Sequence, residues 1–139
     1  MYLLDNDTST GILRGHPRIS ATFLSIPYGQ VYLSSIAAYE MIDGIRAAVK
    51  AELEKKVPTF QYTFSEMDRI IKHLSKFNIL PYSDAANKIY QSWPAKVTRI
   101  GPLDCRTASL AIASGMTVVT CNVRDFEKIP GVKFVDWSK

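Results

Sequence analysis

Short apolar runs alternate with longer segments of helical periodicity along the 139-residue chain. The apolar runs are at most five residues long and rich in β-branched or aromatic residues, so each predicts a buried strand. Between them, apolar residues recur every three to four positions, which indicates helices with one buried face. The predicted strands are Tyr2–Leu4, Gln30–Ser34, Asn78–Leu80, Thr117–Thr120 and Val132–Val135.

The predicted helices fill the intervals between these strands and stop at prolines or glycines. They are Pro17–Ser25, a helix from Ile36 that ends before Pro58, Phe64–Phe77, a helix capped by Asp84, and a helix from Asp104 to Gly115. The polar run Asn6–Thr10 predicts a turn. Strands that alternate with helices favour a three-layer α/β/α sandwich with a mostly parallel central sheet of four to five strands. The length predicts a single domain, residues 1–139.

Composition is that of an ordinary globular protein, with 47% hydrophobic and 22% charged residues, so disorder and fibrous folds are excluded. The net charge of +4 permits binding to a polyanion but is too low for a protein that coats DNA. The longest uncharged stretch, residues 107–123, is interrupted by polar residues and does not predict a membrane span. No secretory signal precedes the first strand, so we expect a cytoplasmic protein without membrane contacts.

The cysteines and histidines show no metal-binding pattern. Cys105 and Cys121 lack the spacing of zinc sites, and we expect two buried free thiols in a reducing compartment. His16 and His73 lie outside the acidic segments, and we expect both at the surface without a catalytic role. These residues therefore supply no candidate metal ligands.

Acidic residues fall at predicted strand ends or helix starts in four separate segments. Asp5 and Asp7 follow the first strand. Glu40 lies early in a helix, Asp104 opens another helix, and Asp125 follows the fourth strand. Ligands gather at the carboxyl ends of parallel strands, and carboxylates without cysteine or histidine favour Mg²⁺ or Mn²⁺ over zinc. The pattern predicts one metal site assembled from distant segments.

Each candidate also has an ordinary structural explanation. Asp5 and Asp104 could cap a turn or a helix, and Glu40 could be a solvated surface residue. Asn122 could ligate a metal or hydrogen bond through water, and Asp125 could cap a short turn. The joint pattern favours the metal site over these separate explanations.

Four segments carry a family resemblance: YLLDND near residue 5, AYEMIDG around Glu40, IGPLDCRTASLAIASG around Asp104, and VVTCNVRDFEKIPGVKFVDW to the end. The closing stretch, with its Thr-x-Asn-x-x-Asp-Phe and Ile-Pro-Gly, is the most specific. Together the segments resemble a PIN domain, and specifically the VapC-type toxin ribonucleases of bacterial toxin–antitoxin pairs. The resemblance runs nearly end to end.

The resemblance implies a divalent-metal-dependent endoribonuclease of this fold. The family's metal-binding and catalytic acids fall on Asp5, Glu40 and Asp104. The fourth position falls on Asp125 or on Asn122, where many PIN domains have an aspartate, so the number of ions, one or two, stays open. With Mg²⁺ or Mn²⁺ held by these groups, a metal-activated water would hydrolyse RNA phosphodiester bonds.

Basic residues flank the acidic segments and are placed to contact RNA phosphates on either side of the scissile bond. They precede or follow the predicted metal ligands by only a few positions along the chain. The candidates for RNA binding are Lys96, Arg99, Arg106 and Arg124.

The resemblance also implies protein partners. A cognate antitoxin would hold the toxin inactive and could insert a basic side chain into the acidic pocket. The family commonly forms twofold homodimers, and two helices of this chain carry more apolar residues than one sheet face requires. The candidate dimer contacts are Phe23, Met67, Ile71 and Leu74.

Two other functions are compatible with parts of the sequence. The Asp5-x-Asp7 pair suggests a haloacid-dehalogenase-like phosphatase, although Ser9 replaces the threonine of that motif and its later Gly-Asp-x-x-x-Asp is absent. A non-catalytic partner-binding domain with a vestigial site would explain Asn122 and also Asn6, which stands where the family usually has threonine or serine. Asn6 could disturb the hydrogen bonding behind Asp5.

Overall fold

A parallel sheet of five strands lies at the centre of the structure, a computed structural model that describes residues 1–139. Its strand order is β3-β2-β1-β4-β5. The strands are β1 (Tyr2–Leu4), β2 (Val31–Ser34), β3 (Asn78–Leu80), β4 (Thr117–Val119) and β5 (Phe134–Val135). All four pairings between neighbouring strands are parallel, as the alternation of strands and helices predicts.

Helices connect the strands and cover both faces of the sheet. They are α1 (Asn6–Leu13), α2 (Pro17–Ser25), α3 (Ser35–Leu53), α4 (Gln61–Leu74), α5 (Asp84–Ser92), α6 (Ala95–Thr98), α7 (Pro102–Ser114) and α8 (Val123–Phe126). A 3₁₀ turn at Tyr28–Gln30 leads into β2. None of the helices combines the length and the apolar character needed to cross a bilayer. The predicted three-layer α/β/α sandwich is confirmed.

The core has two parts, one on each face of the sheet, because successive strand residues point to opposite faces. Leu3 and Val118 belong to the buried cluster that includes residues of α5 and α7. Leu4 and Val119 belong to the cluster that includes residues of α2, α3 and α4. Burial on both faces explains why these strands read as continuous apolar runs rather than as alternating ones.

β1 is the central strand, and the direction of winding reverses at this strand. The chain builds β2 and β3 on one side of β1 and later adds β4 and β5 on the other side. In open parallel sheets, such a reversal leaves a crevice at the carboxyl ends of the strands. Asp5 directly follows β1, and Asn122 lies just beyond β4. The predicted acidic segments therefore meet this crevice.

The polar run after β1 is the helix α1 and not the predicted turn. Asp5 is its N-cap, and the Asp5 carboxylate accepts a hydrogen bond of 2.8 Å from the backbone N–H of Thr8. Asn, Asp, Ser and Thr favour both turns and helix starts, so local sequence does not separate the two. A similar ambiguity affects α5, which is capped by Ser83 and not by Asp84.

The link between α3 and α4 is held by Glu52. Its carboxylate accepts hydrogen bonds from the backbone N–H of Thr59 at 2.7 Å and from the Thr59 hydroxyl at 3.1 Å. The ammonium group of Lys55 lies 2.7 Å away, and its hydrogen bond is the main cause of a lowered pKa for Glu52. This link leads into α4, which begins and ends about a turn earlier than the predicted helix 64–77.

Two residues differ from expectation in their exposure. His73, like its neighbour Leu74, lies on the face of α4 that packs against the rest of the protein, and the two are only 4% and 9% exposed. The expectation of a surface histidine is wrong for His73, whereas His16 is exposed. Cys105 is a buried free thiol as predicted, but Cys121 is exposed because it lies beyond the end of β4.

Candidate metal centre

A small cavity of about 200 Å³ lies at the carboxyl end of the sheet and is lined only by polar residues. It gathers side chains from the three segments after β1, β2 and β4 and from the start of α7. The lining residues are Asp5, Asn6, Asp7, Glu40, Asp104 and Asn122. The structure thus brings together four of the five predicted ligands.

Asp5 lies at the bottom of this group and is 6% exposed. Its backbone N–H donates to the carbonyl of Val119 at 3.1 Å, which fixes the end of β1 against β4. Burial raises the pKa of the Asp5 carboxyl to about 6, although hydrogen bonds from the Thr120 hydroxyl and the Thr8 amide act in the opposite direction. An ionised Asp5 is therefore costly unless a positive charge lies beside it.

Glu40 reaches the cavity from the second turn of α3. The helix starts at Ser34, whose hydroxyl accepts a hydrogen bond of 2.9 Å from the backbone N–H of Ala37. Burial raises the pKa of the Glu40 carboxyl to about 7, and the negative charges of Asp104 and Asp5 raise it further. No hydrogen bond acts in the opposite direction. Glu40 is thus the acid in this site with the least internal compensation.

Asn122 joins the remaining two acids. Its Nδ2 donates to Asp104 Oδ2 at 3.0 Å and to Asp125 Oδ2 at 3.0 Å. Since both partners are acceptors, the amide nitrogen and not the oxygen must face them. Lys128 Nζ lies 3.7 Å from Asp125 Oδ1. Asp125, which does not line the cavity, is therefore connected to it through Asn122.

Asp104 lies in the first turn of α7, where the helix dipole favours a negative charge. Pro102 occupies the start of the helix, where its missing N–H has no intrahelical partner to lose. A Cβ atom at Gly101 would lie 3.2 Å from Asp104 Oδ2, so glycine gives this carboxylate its room. Burial raises the pKa of Asp104, while the hydrogen bond from Asn122 lowers it.

The donor set fits a hard divalent cation, because every lining group offers oxygen and none offers sulfur or imidazole. Buried carboxylates with raised pKa values are also the groups whose ionised form a cation would stabilise. No three acidic, histidine or cysteine side chains converge closely enough to hold one ion in the present arrangement. Asp104 and Asp125 instead accept hydrogen bonds from the Asn122 amide, and Asp125 lies outside the cavity lining.

The four basic residues predicted to bind RNA lie outside this cavity. Lys96 on α6, Arg99 at its end and Arg124 on α8 are all exposed. Arg106 instead stacks on Tyr90, with its guanidinium carbon 4.2 Å from the ring centroid, and donates to a carbonyl at the start of α7. This contact ties α7 to α5, so Arg106 is engaged within the protein.

Sequence reasoning did not identify the groups that hold the acids in place. Thr8 and Thr120 contact Asp5, and Lys128 contacts Asp125. The sequence does contain signals for these contacts. Thr8 lies at capping distance from Asp5, Thr120 ends an apolar run, and Lys128 follows Asp125 by three residues. Asn6 does not lie behind Asp5 but lines the cavity.

Related proteins share the fold and the length of this chain. The PIN domain family matches residues 7–132. A tRNA(fMet)-specific endonuclease VapC of Salmonella typhimurium is 26% identical over 140 residues, which cover 98% of this chain and 97% of the relative. A ribonuclease VapC1 of Rickettsia felis is 30% identical over 120 residues, which cover 80% of this chain and 79% of the relative.

Comparison with a solved structure shows that the similarity extends to the three-dimensional fold. DNA-bound VapBC from Salmonella typhimurium superposes with a TM-score of 0.77 at 25% identity, and the match covers 98% of this chain and 97% of that chain. The similarity therefore includes the whole sheet and both helical layers. The chain belongs to the PIN domain family and, within it, to the VapC-type ribonucleases.

Proposed function

We propose that this protein is the toxin of a toxin–antitoxin pair, an endoribonuclease that hydrolyses RNA phosphodiester bonds with the help of a divalent cation. One observation carries the proposal: a PIN domain in which Asp5, Glu40, Asp104 and Asn122 line one polar cavity at the carboxyl end of the sheet. We further propose that residues 1–139 act as one nuclease domain in the cytoplasm. Family membership separates the chain from haloacid-dehalogenase-like phosphatases, and the ribonuclease relatives argue against a non-catalytic domain.

The cation would be held by Asp5, Glu40 and Asp104, with Asp125 or Asn122 as a further contact. Hard carboxylate oxygens favour Mg²⁺ or Mn²⁺ over softer metals. When bound, the cation supplies Lewis acidity toward the phosphodiester and toward the attacking water. The assignment of these residues is supported by their shared cavity and by the raised pKa values of the first three acids.

The surrounding residues keep the acids ready for this role. Thr8 and Thr120 hold the Asp5 carboxylate at the end of β1. The Asn122 amide nitrogen donates to both Asp104 and Asp125, and its partial positive charge reduces the repulsion between them. Apart from Lys128 beside Asp125, the donors to these acids are neutral, so the carboxylates keep their negative charge for the cation.

RNA needs positive charge around this acidic centre. We propose that Lys96, Arg99 and Arg124 contact phosphates that flank the scissile bond, since all three are exposed near acid-bearing segments. Arg106 would join them only by leaving its stack on Tyr90. The Salmonella relative is named for tRNA(fMet), which makes structured RNA the first substrate to test.

A cognate antitoxin is the expected regulator. Solved structures of similar fold include VapBC from Rickettsia felis and from Salmonella typhimurium, both bound to DNA. We infer that an antitoxin encoded beside this protein covers the acidic cavity, where a guanidinium group would pair with carboxylates in place of the cation. Expression of the toxin alone should arrest growth, and co-expression of the neighbouring reading frame should restore it.

A homodimer is the expected assembly, and the structure narrows its contacts. Met67 and Ile71 lie with Ile42 and Ile45 around an apolar surface cavity of about 330 Å³. Leu74 is buried in the core of the monomer and is therefore not available for contact with a second copy. Light scattering should show that Ile71→Glu separates the dimer of a folded protein. A parental protein that is monomeric at high micromolar concentration would contradict the proposal.

The enzymatic proposal is tested by cleavage of RNA with the purified protein. Parental protein should cleave when Mg²⁺ or Mn²⁺ is added and stop when the cation is chelated. Asp104→Asn should abolish cleavage while circular dichroism shows an unchanged fold, because Asn keeps the shape of the side chain but removes its charge. Cleavage at the parental rate by this variant would show that the cavity is not the active site.

A further inference from the structure

A buried polar chain links α4, α1 and α3. His73 Nε2 lies 2.9 Å from Ser9 Oγ, and Ser9 Oγ lies 3.6 Å from Met41 Sδ. His73, Ser9 and Met41 are 4%, 0% and 5% exposed, respectively, so water does not compete for these contacts. The three residues belong to three different helices and meet at one point.

One arrangement of hydrogens satisfies all three groups. A serine hydroxyl has a single hydrogen, and a thioether sulfur can only accept. If Ser9 donates to Met41, then His73 Nε2–H must donate to Ser9. Burial and the nearby charge of Lys76 lower the pKa of His73, while a hydrogen bond to the Ser9 backbone acts in the opposite direction. A lowered pKa favours the neutral imidazole, which in this arrangement carries its hydrogen on Nε2.

Two of these three buried residues lie close to acids of the metal centre along the same helices. The backbone N–H of Ser9 donates to the carbonyl of Asp5 at 3.1 Å, so one helical turn separates them. Met41 follows Glu40 in α3. The helices α1 and α3 therefore connect this polar chain to Asp5 and to Glu40.

The surroundings of His73 are otherwise apolar. Its ring packs edge-on against Phe77, with 4.9 Å between ring centroids, and Leu74 beside it belongs to the core. Apolar contacts between helices tolerate sliding, whereas a buried hydrogen bond is costly to break and so favours one arrangement. A histidine at this position thus specifies how the three helices meet.

We propose that His73 is a positioning residue of the nuclease: through Ser9 and Met41 it sets the separation of Asp5 and Glu40 that cation binding requires. This role rests on the proposed function, because it assumes that Asp5 and Glu40 bind the cation together. His73 itself touches neither RNA nor the cation.

Three variants of the full-length protein separate positioning from simple stability. His73→Leu removes the Nε2–H donor and keeps an apolar side chain of similar reach. His73→Gln restores a donor at the position of Nε2. Leu74→Ala is the matched control, since it creates a cavity at the neighbouring core position while His73, Ser9 and Met41 all keep their side chains. Mn²⁺ affinity would be measured by calorimetry at pH 7.5, where each protein is folded, alongside thermal unfolding and RNA cleavage.

His73→Leu should bind Mn²⁺ about tenfold more weakly than the parental protein, the lower end of what lost outer-shell contacts cost. His73→Gln should recover most of this affinity. Leu74→Ala should unfold at lower temperature yet bind Mn²⁺ with parental affinity, because its acids keep their separation. Catalytic efficiency toward RNA should follow Mn²⁺ affinity in all three.

Parental affinity in His73→Leu would overturn the positioning role while leaving the metal centre intact. Equal weakening by Leu74→Ala would also overturn it, because the effect would then reflect general loosening of the core. A parental protein that neither binds Mn²⁺ nor cleaves RNA would refute the proposed function first, and the role of His73 with it.

Discussion

The two halves of the acidic site hold their charge in different ways. Asp5 and Glu40, on the α1 and α3 side, have pKa values raised to about 6 and about 7. On the other side, a single Asn122 amide bridges Asp104 and Asp125, and Asp125 also lies near an ammonium group. Burial raises the pKa of Asp104 as well, but the hydrogen bond from Asn122 acts in the opposite direction, whereas Glu40 has no such bond.

This difference assigns separate physical tasks to the two halves. A raised carboxyl pKa means that ionisation is unfavourable in the metal-free protein, and a bound cation recovers that free energy. We therefore expect the Asp5–Glu40 half to contribute most to the affinity for a cation. We expect the Asp104–Asp125 half, which is held by hydrogen bonds from Asn122, to contribute more to the positions of the cation and the phosphodiester.

Removal of one acid from either half should have the largest effect on activity. Asp5→Asn and Asp104→Asn should each lower the catalytic efficiency of RNA cleavage by more than about 100-fold, since even outer-shell changes at metal sites reach that range. Initial cleavage rates at saturating Mg²⁺ would measure the loss. A half whose acid can be removed without this loss does not belong to the active centre.

Substitutions in the two halves of the site should differ in their effect on the stability of the metal-free protein. Asp5→Asn should raise the free energy of unfolding at pH 7.5 by about 2–3 kcal/mol, because it removes a buried charge whose pKa is raised from 3.8 to about 6. The new Asn can still cap α1. Asp125→Asn should change the unfolding free energy by less than about 0.5 kcal/mol, as partly exposed groups commonly do. Urea unfolding with a chelator present would compare them, and equal effects would remove the distinction.

The same charges should make metal-free stability depend on pH. The folded pKa values of Asp5 and Glu40 lie above their ordinary values of 3.8 and 4.5, so their contribution is fully present below about pH 4. It is lost as pH rises through about 6 to 7. Glu52 and Asp136 have lowered pKa values and act in the opposite direction at acid pH. We expect a net loss of about 2–3 kcal/mol between pH 5 and 7.5, with the part from the partly exposed Glu40 reduced by solvent screening.

Thermal unfolding of the parental protein and of Asp5→Asn/Glu40→Gln, each with chelator, would isolate this pH effect. The double variant keeps Glu52 and Asp136. The difference between the two curves of stability against pH is therefore caused by Asp5 and Glu40. Stability curves that run parallel across this pH range would show that these two acids do not have raised pKa values.

Substitution of Gly101 should have the smallest effect on activity among these variants. It tests whether the orientation of the Asp104 carboxylate matters. In Gly101→Ala, the new Cβ would press on Asp104 at 3.2 Å, so the carboxylate must move by a few tenths of an ångström. We expect cleavage to slow by about 3–10-fold, less than the 100-fold associated with a full ångström. Mn²⁺ affinity should change less than cleavage.

Gly44→Ala is the matched control, because a Cβ there meets open space within α3. It should stabilise the protein by about 0.5–1 kcal/mol through helix propensity and leave cleavage unchanged. If both alanine variants cleave like the parental protein, Asp104 tolerates displacement, and its half of the site is not the one that sets geometry.

Features that depend on neighbouring residues in the sequence could be predicted, whereas features that depend on residues far apart in the sequence could not. The strands and most helices could be predicted because Leu3, Leu4 and their equivalents reveal burial on both faces through local pattern alone. The acids could be grouped because parallel strands end at one edge. The burial of His73 depends on Ser9, 64 positions away, and the bridge from Asn122 depends on Asp104, 18 positions away. No local pattern carries such contacts.

The pairing of β1 with β4 has a consequence for the newly made chain. Asp5 completes its surroundings only when β4 arrives, since Thr8 bonds to Val119 across 111 positions of sequence. At ordinary rates of translation, on the order of 10 s passes between the synthesis of these two segments. An unfinished chain therefore has no assembled nuclease site. The ribosome that makes this protein encounters an assembled site only after nearly all of the chain has emerged.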